Sequence, residues 1–335
     1  MTTTEEDARA ESAESSLTAR KHSIANHTFA GISTGAASLI LVTLAAVATF
    51  LLIEAWPAIM NSGGEVHDRV DWIDAERGES LVEIIGFLIF GTLLISAIAL
   101  AIAAPLSTGV ALFISHFAPR KLAAGLGYLI DLLAAIPSVV YGLWGAIVVI
   151  PVLQPLFSWL GQNLGWIPLF APDPATGTVS STGRVALSAG IVLAIMILPI
   201  ITAVKREVFL QTPLLHQEAA LAMGATRWEM IQMAVFPFGR PGMIGATMLG
   251  LGRALGETMA VYMILSPGLS YSLAVLQAGQ HNTIAANIAL KFPETNSSGV
   301  SALIAMGLAL FLITLLVNMT ARWVVSRRAA FSGAN

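Results

Sequence analysis

Residues 212–237 read TPLLHQEAALAMGATRWEMIQMAVFP, and this polar stretch lies between two long apolar runs. Its pattern predicts two short helices joined at a glycine. Thr212 can cap the first helix, and Pro213 suits the first turn, where its missing N–H is not needed. Gly224 is predicted to end that helix, because a residue without a Cβ adopts the left-handed conformation without penalty.

The second helix of the stretch has its own start signal. Thr226 and Glu229 have the spacing of a capping box, in which each side chain accepts from the backbone N–H of the other. We expect this helix to end at Pro237, because proline removes a helical hydrogen bond. Residues 212–237 therefore form a predicted helical elbow outside the membrane, called the elbow below.

The composition on either side of the elbow is that of an integral membrane protein. Of the 335 residues, 56% are hydrophobic and 11% are charged, and the mean hydropathy is +0.78. A helix needs about 20 apolar residues to cross a hydrocarbon core of about 30 Å, and several runs reach that length. They lack the alternation of barrel strands, and lipid offers no water to unpaired backbone groups. We predict an all-α polytopic membrane protein.

Six transmembrane helices account for the apolar runs. The third is expected to be interrupted at Pro137, where it loses a hydrogen bond and bends, and the segment after it to form a loop because it is rich in proline. We expect helices at residues 29–53, 81–104, 122–150, 185–204, 241–265 and 300–321, a shorter helix at 106–117 and a loop at 151–184. The resulting regions are a disordered acidic tail at 1–28, a first helix with an external loop at 29–80, a core at 81–325 and a C-terminal tail at 326–335.

The distribution of positive charge predicts the orientation in the membrane, because loops rich in lysine and arginine stay in the cytoplasm. Of 17 such residues, 12 lie on the face of the elbow. Four lie on the opposite face, namely Arg69, Arg77, Arg184 and Lys291, and Arg253 lies inside the fifth helix. The elbow and both termini are therefore predicted to be cytoplasmic.

A motif in the elbow resembles one found in ABC importer permeases. Glu218, Ala219 and Ala220 are followed, after three residues, by Gly224, and Pro237 closes the stretch. This spacing is that of the EAA loop, a cytoplasmic elbow that fits into a cleft of a separate ATPase subunit. The resemblance implies that Glu218, Ala219, Ala220 and Gly224 couple this chain to that ATPase.

Two further segments resemble phosphate-specific ABC importer permeases of the PstC type. These are GLGRALGETMAV at residues 250–261 and IPSVVYGLWG at residues 136–145, and the likeness covers roughly residues 80–325. It implies the type I permease fold, in the cell membrane of a prokaryote. The implied partners are a PstA-like permease in a heterodimer, a PstB-like ATPase dimer, a PstS-like phosphate-binding protein and membrane lipid, with inorganic phosphate as the substrate.

Arg253 and Glu257 are two charges near the centre of the fifth predicted helix, four residues apart and so on one face. Each costs about 2.5 to 3.5 kcal/mol at the bilayer centre, so both should face protein or water. They form either a structural ion pair or part of a path for anions. In the second case Thr258, from the same motif, also belongs to the path. In a path, the planar fork of Arg253 binds phosphate oxygens through two hydrogen bonds. Glu257 accepts a hydrogen bond from the proton that phosphate carries and sulfate lacks.

Three residues of the third predicted helix are further candidates for the substrate path. Asp131 either pairs with Arg253 or borders a wet crevice. Ser138 and Tyr141 follow the bend at Pro137 and supply hydroxyls.

Several other functions are excluded or left as alternatives. The chain has no cysteine, its six histidines are scattered, and none of its lysines follows a glycine, so neither a metal site nor a P-loop is expected. We expect no enzyme activity and no cofactor in this chain, with ATP and Mg bound by the partner ATPase, and no nucleic-acid partner. The alternatives are a permease for sulfate or molybdate and, from another class, an ion-coupled secondary transporter.

Overall fold

A computed structural model describes residues 3–60 and 80–329, with the side chains of 28–60 and 80–323. The described residues form α-helices joined by turns and short π and 3-10 segments. The helices are α1 Thr3–Met60, α2 Leu81–Leu112, α3 Arg120–Ala134, α4 Ser138–Trp144, α5 Ile150–Leu164, α6 Ala186–Leu210, α7 Leu214–Ala222, α8 Arg227–Met230, α9 Phe236–Leu255, α10 Met259–Ile264, α11 Ile284–Lys291 and α12 Ser297–Ala329. The all-α class is confirmed.

Five segments of the described chain are long and apolar enough to cross a membrane. They are Thr28–Met60, Leu81–Phe117, Ser138–Leu164, Ala186–Leu210 and Ser297–Trp323. The polytopic architecture is confirmed, but the predicted six continuous helices are not all present in this form. One exception is the fifth, at 241–265, which is divided between α9 and α10.

The third predicted helix also differs from the structure. The predicted interruption at Pro137 is present, but it is a complete break between α3 and α4 and not a bend, and Pro137 has the extended ψ of 140°. Proline supplies no N–H and disfavours a helical conformation for Ile136, so the helix ends before it. The predicted loop at 151–184 is wrong over its first 14 residues, because α5 continues to Leu164. Pro151 lies in the first turn of α5, where proline is tolerated.

The contacts divide the chain into two compact units, one up to Glu54 and the other from Ala55 onward. In the first unit the backbone is helical from Thr3, which differs from the disordered tail predicted from its acidic composition. Alanine, glutamate and arginine are strong helix formers, which gives a physical reason for this difference. Residues 61–79 of the predicted external loop lie outside the described residues.

In the second unit, α6 is the central helix and packs against α2, α3 and α9. Leu193, Met196, Ile197 and Ile201 are each at most 1% exposed. Helix α4 packs against α10, and α11 lies between α10 and α12. This packing holds the two broken helices, α3–α4 and α9–α10, within one bundle.

Candidate functional site

The break between α9 and α10 lies at the motif that carries the predicted anion path. Glu257 is buried, and its Oε1 accepts a hydrogen bond from the backbone N–H of Ala260 at 3.2 Å. Thr258 is the N-cap residue of α10, and its hydroxyl donates to the carbonyl of Gly256 at 3.2 Å. The prediction that Arg253 and Glu257 share one helix face is therefore wrong, because Glu257 caps the next helix.

Arg253 lies in the last turn of α9 and is half-buried. A guanidinium is favourable there, because the C-terminal end of a helix carries partial negative charge. It interacts electrostatically with the phenol of Tyr141 in α4. In the described part of the chain no ion pair joins Arg253 to Glu257, so the predicted structural ion pair is not formed.

The close packing of α4 on α10 brings Tyr141 to the break. Gly142 lies directly on Ala260, and a Cβ added to Gly142 would lie 2.8 Å from the Ala260 Cα. The hydroxyl of Tyr141 donates to the carbonyl of Leu133 at 2.9 Å, and so bridges the interruption at Pro137. Two helix interruptions, one at Pro137 and one at Gly256, are thus held against each other with Arg253 beside them.

The other two predicted path residues are in different places. Ser138 is half-buried in the first turn of α4, directly after the break. Asp131 is exposed in α3 and lies in a crevice with Arg120 and Arg206. Of the two alternatives for Asp131, pairing with Arg253 is therefore not observed, whereas its position beside a crevice is observed.

Lys205 has a role that the sequence did not reveal. It is 2% exposed, and its Nζ donates to the carbonyl of Ala104 at 2.9 Å and to the hydroxyls of Ser107 at 3.1 Å and Thr108 at 2.8 Å. Three acceptors satisfy all three donors of the ammonium group. Lys205 therefore joins α6 to α2 next to Pro105, where α2 runs on without the predicted interruption.

The elbow has the predicted turn and the predicted capping box. Gly224 has a φ of +86°, and Thr226 and Glu229 exchange both capping hydrogen bonds. The backbone N–H of Thr226, at 2.7 Å, and its hydroxyl, at 2.8 Å, donate to Glu229. Both bonds lower the pKa of the Glu229 carboxyl below its usual value.

Both ends of the elbow differ from their predictions. Thr212 does not cap α7, because Pro213 is the N-cap residue and the buried Thr212 hydroxyl lacks a hydrogen-bond partner among the described residues. The second helix does not stop at Pro237 but continues through α9. A π turn at residues 231–235, in which Phe236 N–H bonds to the Ile231 carbonyl, widens the helix just before the proline.

The exposed tip of the elbow combines a carboxylate with apolar side chains. Glu218 and Ala219 are exposed, whereas Ala220 is 4% exposed and packs into the core beneath the elbow. Leu214, at 71% exposed, and Met223, at 74%, extend the apolar surface. An exposed apolar patch of this kind is typical of a protein interaction surface.

Residues 103–330 match the family described as the binding-protein-dependent transport system inner membrane component. The chain belongs to this family. It is 43% identical over 293 residues to the phosphate transport system permease protein PstC 2 of Mycobacterium tuberculosis, covering 87% of this chain and 88% of that protein. It is also 43% identical to the phosphate transport system permease protein PstC of Mycobacterium leprae, covering 84% and 87%. A solved structure of the MetNI methionine ABC transporter aligns with a TM-score of 0.46 at 16% identity, over 74% of this chain and 95% of that chain.

As a binding-protein-dependent transport system inner membrane component, the chain is a transport subunit that spans the membrane several times. The family match covers the end of α2, the helices from α3 to α12, the elbow and the motif at the α9–α10 break. Among the described residues, no group of three or more histidine, aspartate or glutamate side chains is placed to hold a metal ion.

Proposed function

We propose that this chain is the permease subunit of an ATP-driven importer of inorganic phosphate. It forms half of the translocation path, pairs with a PstA-like permease and receives phosphate from a PstS-like binding protein. Its elbow couples it to a PstB-like ATPase dimer, where ATP and Mg are bound. The PstC relatives, similar along nearly the whole chain, support the choice of phosphate over sulfate or molybdate.

The observation that carries the proposal is the guanidinium of Arg253 beside the paired helix breaks. It has no carboxylate partner among the described residues. A charge inside an apolar bundle is costly, so it is usually found where it serves a function. Its planar fork suits two oxygens of one phosphate. Broken helices supply the non-helical backbone that a substrate path through a membrane protein requires.

Glu257 adds selectivity to this path. One carboxylate oxygen is engaged by Ala260, which leaves the other able to accept a hydrogen bond from a protonated phosphate oxygen. Sulfate carries no such proton near neutral pH. One of its oxygens would therefore face the carboxylate oxygen of Glu257 with no proton between the two acceptors. Thr258 and Ser138 contribute hydroxyls near the same two breaks.

The coupling role is assigned to the elbow because its exposed tip bears Glu218 and an apolar patch on a turn that Gly224 defines. The excess of positive charge supports a cytoplasmic position for the elbow and both termini. Reporter fusions after Lys121, Arg206 and Arg328 should report the cytoplasm, and a fusion after Arg184 the outside. The inverse pattern would place the elbow on the side of the membrane opposite to the ATPase, and would contradict its coupling role.

The function is tested with the complete transporter, purified from cells and reconstituted in proteoliposomes with the binding protein. We expect uptake of radiolabelled phosphate that requires ATP and is not inhibited by excess sulfate or molybdate. A transporter with a hydrolysis-deficient ATPase subunit is the matched control. Uptake that follows an ion gradient without ATP would instead identify a secondary transporter.

A further inference from the structure

The crevice that contains Asp131 is a second charged site, and it runs along α3 from Arg120 to Asp131. It has a volume of about 550 Å³ and lies between residues 114–118, which follow α2, helix α3 and the end of α6. Its polar side chains are Ser115, Arg120, Tyr128, Asp131 and Arg206, and its remaining lining is apolar. Neither the elbow nor the break at Gly256 contributes to it.

The Arg206 guanidinium lies against α3 at a glycine that leaves room for it. Gly127 is buried there, and a Cβ on Gly127 would overlap Nη1 of Arg206. The Nε of Arg206 is buried without a hydrogen-bond partner among the described residues. A buried donor without a partner is unfavourable, so a small shift of the side chain that brings Nε to an acceptor in the crevice would be favourable.

The net charge of the crevice is complementary to a ligand that carries one negative charge. Arg120 and Arg206 contribute two positive charges and Asp131 one negative charge, a net charge of +1. Helix α3 begins at Arg120, so its free N–H groups and the positive end of its dipole add to the attraction for an anion. A phosphate diester carries one negative charge, and the Asp131 carboxylate can accept a hydrogen bond from a hydroxyl of its headgroup.

The position of the crevice favours a lipid over a free ion. Arg206 lies four residues before the end of α6, about 6 Å along the helix axis, at the depth expected of a headgroup. Large apolar side chains of α2, of the π segment that follows it and of α3 are exposed, where acyl chains would lie: Val110, Phe113, Phe117, Leu129 and Leu132. We propose that this crevice binds the headgroup phosphate of an anionic phospholipid from the cytoplasmic leaflet, a site that does not depend on which solute is transported.

The proposal is tested on the purified transporter complex by native mass spectrometry, with phosphatidylglycerol titrated into phosphatidylcholine and detergent. Arg206→Gln should weaken retention of one phosphatidylglycerol about fivefold, since each basic residue near an anionic lipid contributes roughly that factor. Lys121→Gln is the matched control, because Lys121 is exposed beside Arg120 but does not line the crevice.

Two glycine substitutions distinguish lipid binding in the crevice from attraction to surface charge in general. Gly127→Ala leaves every charge in place but displaces the Arg206 guanidinium, so it should also weaken retention. Gly125→Ala, on the same helix with open space around it, should not. Equal retention by all four variants would overturn the proposal. So would displacement of the bound lipid by millimolar inorganic phosphate with the same dependence on Arg206, which would identify a free-anion site.

Discussion

Replacement of Glu257 by glutamine and by alanine separates two roles of one buried carboxylate. In the structure its Oε1 accepts from the N–H of Ala260 and so caps α10. In the proposed path its other oxygen accepts from protonated phosphate. Glutamine keeps an oxygen for Ala260 but replaces the second acceptor with an N–H donor, whereas alanine removes both oxygens.

The expected magnitudes follow from these contacts. Glu257→Ala leaves the Ala260 N–H without its partner at a buried position, which costs about 1 to 3 kcal/mol of stability. Glu257→Gln exchanges a charged acceptor for a neutral one and should cost only about 1 kcal/mol. In anion choice the order reverses, because the amide donor favours an unprotonated oxygen. A change of about 1.4 kcal/mol lowers the ratio of phosphate to sulfate affinity about tenfold in Glu257→Gln.

The assay compares the binding of radiolabelled phosphate and sulfate to the purified complex without its binding protein, together with thermal unfolding of each variant. Omission of the binding protein ensures that the permease itself makes the selection. A Glu257→Gln complex with the wild-type affinity ratio would refute selection by the carboxylate. Glu257 would then act only as the cap of α10.

Three further substitutions test the elbow, the helix packing and the buried lysine. Gly224→Val should abolish stimulation of ATP hydrolysis by loaded binding protein while the complex still assembles, because a β-branched residue is strained at a φ of +86°; Gly224→Asn, which tolerates that conformation, should retain most of the stimulation. Gly142→Ala should reduce phosphate uptake at least about tenfold, because its Cβ would force α10 away from α4; an unchanged uptake would show that this contact does not position the path. Lys205→Met should lower the stability of the complex by about 1 to 3 kcal/mol, because it leaves buried acceptors in α2 without their donor; unchanged thermal unfolding would contradict that assignment.

The features predicted correctly from the sequence are those determined within a few residues. The capping box of Thr226 and Glu229 and the turn at Gly224 depend on hydrogen bonds and backbone angles inside the elbow. The membrane-spanning segments depend on the length and hydropathy of local runs. These properties do not require knowledge of any distant part of the chain.

The break in the fifth helix was missed because its cause is partly tertiary. The run from 241 to 265 is apolar throughout except at its two charges, and hydropathy does not distinguish one helix from two. The break becomes favourable because the Glu257 side chain caps α10 and because Gly142 of α4 allows α10 to pack closely. Residue 142 is more than a hundred positions away, so no local pattern predicts this contact.

Lys205 and Asp131 were interpreted incompletely for a similar reason. In the sequence Lys205 is one of the positive charges at the end of an apolar run, whereas its three acceptors belong to α2, about a hundred residues earlier. The sequence leaves two alternatives for Asp131, and only the packing of α3 on α6 shows that it lines the same crevice as Arg206. The position of a charge in sequence predicts its depth in the membrane but not its partner.

The role of Arg253 in the path is tested most directly by phosphate uptake into proteoliposomes that contain the complete transporter with Arg253→Lys or Arg253→Ala. Lysine keeps the charge but not the two-pronged fork, so uptake should fall strongly while the complex assembles normally. Alanine should abolish uptake, with binding of the ATPase subunit retained. Uptake at the wild-type rate by Arg253→Ala would contradict the assignment of the α9–α10 break as the phosphate path.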